Sequence, residues 1–350
     1  MKFLGQPALT DLSANENPFG PSDDVMVAIG AASAVAHRYP DADGARLKKA
    51  LAAALGVETA QIVLGAGSCE VLELAARAIL AAGDETIIGW PSFPNYRAIV
   101  GRAGASIVEA PLKNWAYDLK AIVERISERT RLIILANPNN PTGLVIGGKA
   151  FKDFLDRIPD GVTVMIDEAY REYVWQTEYA DALAEMSRGR ALVVTRTFSK
   201  AYGLAGLRVG YAIAPAPLAR RIDAQRQRFN TSGIAQEAAL AALADQAHLE
   251  RCVQRSVENR LWLEEKLTAL GLRFTPSQAN FILLSVGEGR RVFEQLRSRG
   301  VLVKSLEAFG LTDCIRVSVG LRQDNERFMH ALAEVLADGE GRQPTCRQAI

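Results

Sequence analysis

A repeated alternation of short apolar runs with glycine-opened helical stretches constrains this chain more than any other feature of its sequence. Residues 62–64 run into GAGSCEVLELAARAIL, a glycine turn opening a helix, and 86–89 run into WPSFPNYRAIV, a second turn and helix. Further apolar runs lie at 105–109, 131–136 and 162–166, and a β-branched run near 193 enters TFSKAYGLAGLRVGY, where another strand is expected to start near Leu207. Strands that are nearly all apolar are buried on both faces, and helices between them supply the cover. The pattern predicts a mostly parallel, doubly wound α/β sheet.

In such sheets ligands bind beyond the carboxyl ends of the strands. Lys200 sits at one strand exit, with Ser199 and Thr197 just before it and Arg208 shortly after it. Hydroxyls and a second cation around one ammonium suit a bound phosphate. A nearby cation also lowers a lysine pKa, and a lysine so lowered is the nucleophile that condenses with a carbonyl. At a second strand exit Gly65-Ala66-Gly67-Ser68-Cys69 opens a helix, whose free N–H groups and dipole hold anions. At a third, Asn137-Pro138-Asn139-Asn140-Pro141-Thr142-Gly143 fixes the backbone that presents its amides. At a fourth, Asp167 is followed by Glu168 and Tyr170, and a carboxylate past a buried strand needs a cationic or hydrogen-bonding partner. Each has a plainer reading on its own: solvated basic residues at a strand-to-turn junction for Lys200, a tight turn for the glycines, an Asx-turn cluster for the asparagines, a helix N-cap for Asp167.

At 350 residues, 49% hydrophobic, the chain can bury one large core and a second, smaller one. The sequence divides into an arm (1–30), a large domain (31–245), a small α+β domain (246–337) that takes up part of the arm, and a frayed tail (338–350). Residues 45–55 carry Leu47, Leu51 and Leu55 on one helical stripe, and 236–270 reads as one long helical link between the lobes. Strands are expected at 280–285, 301–303 and 314–319, with helices near 292–298 and 323–336. A net charge of +1 from 41 basic and 40 acidic residues gives no footprint for nucleic acid or an anionic membrane. No run approaches the ~20 apolar residues of a membrane helix, and the start MKFLGQPALTDL has no leader pattern. Cys69, Cys252, Cys314 and Cys346 show neither metal spacing nor a disulfide framework, and His37, His248 and His330 stand apart. The expectation is a cytoplasmic protein with small-molecule partners and no metal.

Together ANENP, RYPD, PNNPTG, DEAY, RTFSKAYGLAGLRVGY and SQANFILL, from near residue 12 to near residue 320, resemble the fold-type I aminotransferases. Within these the chain most resembles the histidinol-phosphate aminotransferase branch, including its aromatic amino acid aminotransferases. The resemblance implies pyridoxal 5′-phosphate as cofactor and exchange of an amino group between histidinol phosphate or an aromatic amino acid and a 2-oxo acid such as 2-oxoglutarate. It implies that Lys200 carries the cofactor and shuttles the proton, that Asp167 pairs with the pyridine nitrogen, and that Asn140 and Tyr170 bond the ring hydroxyl. The phosphate would be held by Gly67, Ser68 and Cys69, by Thr197 and Ser199, and by Arg208, with Phe93 stacked on the ring. Tyr39, in RYPD, would reach the phosphate of the neighbouring subunit of a homodimer. Arg316 would grip the substrate carboxylate, with Asn15 and Lys304 completing the substrate site.

The chain departs from the branch in three places. Only eleven residues precede Leu12, where members acting on histidinol phosphate usually carry a longer arm. Phe93 stands where many have tyrosine, and Lys304 replaces an arginine, leaving a point charge instead of a planar fork. A decarboxylase, cyclase or oxidase of the same fold is the alternative outcome. Arg316 speaks against simple decarboxylation, because it would hold the carboxylate. A cofactor-sensing regulator would need a DNA-binding module, for which neither end leaves room.

Overall fold

The β-branched and aliphatic residues of the central runs bury both of their faces, and this is what closes the sheet between two helical layers. In a computed structural model, which describes residues 9–175 and 178–338, the strands are β1 (Thr10–Asp11), β2 (Ile62–Gly65), β3 (Glu85–Trp90), β4 (Ser106–Pro111), β5 (Thr130–Ala136), β6 (Thr163–Asp167), β7 (Leu192–Thr197), β8 (Gly210–Ile213), β9 (Phe281–Ser285), β10 (Val301–Leu302), β11 (Lys304–Ser305) and β12 (Cys314–Ser318). Along β5, Ile133 and Leu135 join one core while Leu132 and Ile134 join the other; along β6, Val164 and Ile166 are opposed to Met165 in the same way. Each such side chain contributes about 1.5–3 kcal/mol by leaving water.

The large sheet has the order β2-β8-β7-β6-β5-β3-β4. Strands β7, β6, β5, β3 and β4 are parallel, and β8 runs antiparallel to both β2 and β7. The sheet is therefore mixed but mostly parallel. Strand β8 begins at Gly210 and not near Leu207, because Ala205–Leu207 is a 3-10 turn and Arg208 takes a left-handed conformation (φ 54°). That reversal lets β7 and β8 pair without the crossover that a parallel partner needs.

Helix Ala45–Leu55 forms where expected, with Leu47 and Leu51 fully buried. The expected single link over 236–270 is two helices, Gly233–Ala244 and Gln246–Ala269. They part at Asp245, whose carboxylate accepts the His248 N–H at 3.0 Å and so caps the second helix. Past its Asn-, Pro- and Gly-rich stretch the arm also runs into a helix, Asp23–Ser33. Ser22 caps it, Asp23 and Asp24 suit its positive end, and it packs on Gly233–Ala244.

A second, smaller α+β domain is built on the antiparallel sheet β11-β12-β9. Its own core gathers Leu263, Ile282, Val292, Val317, Phe328 and Leu332, with Leu12 of the arm in the same cluster. Strand β1 pairs with β10, and Ser318 N donates to the Leu12 carbonyl at 2.8 Å, which ties the arm to this domain. Beyond Asp338 the expected tail, with Cys346, lies outside the described residues. Among those residues no helix is long and apolar enough to cross a membrane.

Candidate active site

The carboxyl ends of β5, β6 and β7 open on a cavity of about 150 Å³. Ser68, Cys69, Phe93, Asn140, Asp167, Tyr170, Thr197, Ser199, Lys200 and Arg208 all line it, so residues spread over more than a third of the chain meet at one place. A larger groove, about 840 Å³, lies elsewhere, between Asp23–Ser33 and Gly233–Ala244. It has none of the strand-end groups, but it holds Tyr39, which is 83% exposed and stacked on Phe229. Tyr39 thus does not reach the cavity of its own chain.

Asp167 ends β6 on the floor of the cavity. Tyr96 donates its hydroxyl to Oδ2 at 2.8 Å, and Thr195, its register partner on β7, donates to Oδ1 at 3.1 Å. Burial pushes the carboxyl up, while these two bonds and the Ala169 N–H hold it down. All three donors are neutral, so among the described residues this buried carboxylate has hydrogen bonds but no bonded cation.

The opposite end of the cavity is an anion cradle. Helix Ser68–Ile79 starts after Gly67 (φ 82°) with no side-chain cap, which leaves its first N–H groups open. A Cβ at Gly67 would run into the Arg208 guanidinium, so glycine here lets the cation lie against the backbone. Thr197 donates to the Ser199 hydroxyl at 2.9 Å, and Arg208 Nη1 donates to the same oxygen at 3.1 Å. Uncapped amides, hydroxyls and a guanidinium converging on one point is the chemistry of a phosphate site.

Lys200 lies between the two ends, its Nζ donating to the Ala14 carbonyl at 2.9 Å. Burial first, and then the Arg316 charge, push its pKa down to about 8, with Glu16 pulling the other way. Arg208, the cation next to it in sequence, is only a minor cause.

Arg316, in the middle of β12, is buried and reaches the cavity rim from the small domain. Its Nη1 donates to Asn140 Oδ1 at 2.6 Å and its Nη2 to the Ser13 carbonyl at 2.7 Å, while Nε finds no partner among the described residues. Asn140, its amide oxygen engaged there, keeps its N–H groups for the cavity. Asn137 and Asn139 instead brace the loop: Asn137 accepts from Ile146 N at 2.8 Å, and Asn139 accepts from Ser92 and Tyr117 at 2.8 Å each. Asn15 does not line the cavity; it stands behind Tyr170, donating to its hydroxyl at 3.0 Å and accepting from Ser318 at 2.9 Å. Lys304 is exposed and sits opposite Arg316 in the β11–β12 register, which puts the two cations on one face.

Several contributors escaped the sequence reading. Tyr96 lies one helical turn past Phe93, against which it packs edge-to-face with centroids 5.5 Å apart, and that spacing was the available signal. Thr195 precedes Thr197 by two along β7, the period of one strand face. Glu168 turns away from the cavity into a buried pair with Arg196 at 2.8 Å. The Ser13 and Ala14 carbonyls carry no residue-type signal.

The comparisons agree with this arrangement. The family model for aminotransferase class I and II matches residues 7–332. The chain belongs to the class I and II aminotransferases. The histidinol-phosphate aminotransferase of Akkermansia muciniphila is 43% identical to this aminotransferase over 329 residues, 94% of this chain and 90% of that protein. The corresponding enzyme of Moorella thermoacetica is 40% identical over 336 residues, 95% and 87% of the two chains. Among solved structures, the histidinol-phosphate aminotransferase of Sinorhizobium meliloti in complex with pyridoxal 5′-phosphate superposes with a TM-score of 0.90 at 29% identity, covering 95% of this chain and 92% of that one.

The cofactor of this aminotransferase is pyridoxal 5′-phosphate, and the cavity fits it at both ends. A buried carboxylate without a bonded cation would suit a protonated ring nitrogen, and the uncapped helix with Arg208 would suit a phosphate. Between them stands a lysine that burial has already moved towards the free amine.

Proposed function

We propose that this aminotransferase moves the amino group of histidinol phosphate to 2-oxoglutarate. The observation that carries the reading is the adjacency of Lys304 and Arg316 on one sheet face, beside a cavity whose relatives are named for histidinol phosphate. Histidinol phosphate has no α-carboxylate, so its phosphate is the anion for this cation pair. The 2-oxo acid brings a carboxylate to the same place, where Arg316 Nε still lacks a partner.

Pyridoxal phosphate supplies an aldehyde that condenses with amines and a ring that takes up the electrons released when the α-proton leaves. The chain supplies the rest. Lys200, its pKa lowered to about 8, accepts the α-proton and returns it. Asp167 holds the positive ring nitrogen, with Tyr96 and Thr195 keeping its oxygens in place. Asn140 and Tyr170 orient the ring oxygen, Phe93 covers the ring, and Gly67, Ser68, Cys69, Thr197, Ser199 and Arg208 hold the phosphate. Asn15 acts by fixing the Tyr170 hydroxyl.

The same reading takes the active unit to be a homodimer, with Tyr39 crossing to the neighbouring cavity; its exposure on an apolar groove supports this. It keeps the division into arm (1–30), large domain (31–245) and small domain (246–337); separate cores for the two domains support it, and the arm adds Val25 to one and Leu12 to the other. Cys69, Cys252 and Cys314 are free thiols, which suits a cytoplasmic location.

A single-turnover screen tests the substrate. Histidinol phosphate should bleach the visible absorbance of the bound cofactor faster than phenylalanine or glutamate, and 2-oxoglutarate should restore it. Good turnover of phenylalanine with none of histidinol phosphate would overturn the assignment.

A further inference from the structure

A tight turn that does not line the cavity breaks the rule for its own geometry. Lys113 N donates to the Ala116 carbonyl at 2.9 Å and Ala116 N to the Lys113 carbonyl at 3.0 Å, so Asn114 and Trp115 are the two central residues of a hairpin. Both have positive φ, 50° and 65°. A two-residue turn of this hand favours Asn at its first central position and glycine at its second. Tryptophan in the glycine position is strained, so the indole must gain elsewhere what the backbone loses.

The gain is made on the other domain. The indole packs against Leu283, Leu306, Phe309 and Cys314, a small cluster separate from the main core of the small domain. Arg273 adds its guanidinium 5.9 Å from the ring centroid. Cys314 begins β12, which carries Arg316, and Leu306 follows directly on β11, which carries Lys304. On the near side of the turn, Tyr117 receives the Ala136 N–H at 3.1 Å and donates to Asn139 at 2.8 Å. The neighbour of Asn139 is Asn140, which accepts from Arg316. The contacts thus close a ring from Trp115 through β12 to Arg316, across to Asn140, and back through Tyr117.

We propose that Trp115 is a positioning residue: it seats the small domain against the large one so that Arg316 and Lys304 meet the anionic group of each substrate. The proposal rests on the reading of Arg316 and Lys304 as the anion site. Trp115 does not line the cavity, and its effect is carried by the two strands it holds.

Trp115→Gly tests this with little threat to folding, because it creates the Asn-Gly pair that the turn prefers. The KM for both the amino donor and the 2-oxo acid should rise about tenfold, with kcat at saturation within about threefold, the pattern of binding lost equally before and during the chemistry. Trp115→Phe should restore most of the loss. In cofactor-free protein, amide hydrogen exchange over 301–318 should quicken in Trp115→Gly while β6 and β7 keep their protection. Phe309→Ala, which removes a receiving side chain, should give the same KM signature. Unmoved KM values in either variant, or a fall in kcat and thermal midpoint with KM intact, would overturn the proposal. The exchange readout needs no substrate: if it changes in a protein that transfers no amino group, the functional reading fails, and if it stays still in an active enzyme, the docking role fails.

Discussion

Arg316 donates Nη1 to Asn140 Oδ1 at 2.6 Å, and this one bond joins the middle strand of the small domain to the loop that leaves β5 in the large sheet. It fixes which way the Asn140 amide faces and holds the guanidinium at the cavity rim. Asn140→Ala removes a buried charge-assisted bond, worth about 1.5–3 kcal/mol, or roughly ten- to a hundredfold in affinity. Steady-state kinetics should show that loss in the KM of the 2-oxo acid. An unchanged KM would mean that the bond does not position Arg316.

Lys200 makes the cofactor-free protein sensitive to pH. With its folded pKa at about 8 against an ordinary value of 10.5, the lysine is charged below that point and a nucleophile above it. The rate at which pyridoxal phosphate couples to the protein, followed by absorbance, should therefore climb as pH rises through about 8. Between about 8 and 10.5 the unfolded chain binds more protons at this site than the folded one, so its contribution to stability grows with pH across that window. Arg316→Met removes a like charge and should move the coupling midpoint upwards. A midpoint unmoved in that variant would show that the Arg316 charge is not a cause.

Much of the fold was legible because strand, turn and helix signals are local, and the cofactor residues were legible because each stands at a strand exit. What escaped depends on distance or on atoms without identity. The sequence points to Arg208, eight residues on, as the cause of a lowered Lys200 pKa, whereas burial and the remote Arg316 matter more. The break at Asp245 and the helix at Asp23–Ser33 each turn on one capping side chain within an otherwise ambiguous run. The carbonyls of Ser13 and Ala14, which meet Arg316 and Lys200, could be any residue's.

On the proposed reading, Asp167 would meet the ring nitrogen and Tyr96 would hold its carboxylate in place. Asp167→Asn keeps the shape and removes the charge, so single-turnover measurements with α-deuterated donor should show the largest loss in proton removal, with folding intact. Tyr96→Phe takes away one of the bonds that favour the ionised carboxyl against burial, and the same step should slow about tenfold, the worth of about 1–1.5 kcal/mol. Proton removal at the wild-type rate in Asp167→Asn would remove this residue from the mechanism.

Glu168 and Arg196 form a buried ion pair that neither residue can leave half-made without cost. Arg196→Met leaves the buried carboxylate with only the half-exposed Arg171 at 3.8 Å and the Tyr179 hydroxyl at 3.2 Å, and should cost about 3–5 kcal/mol in urea denaturation of the cofactor-free protein. The double variant with Glu168→Gln should recover a large part of that loss. Equal costs in the single and double variants would show that the stranded charge is not the cause.

The attachment of the cofactor to Lys200 is tested most directly by borohydride reduction of the holoenzyme followed by peptide mapping. The expected result is a single modified lysine, Lys200, with the label absent from Lys200→Ala. Label on any other lysine, or unchanged labelling of Lys200→Ala, would contradict it.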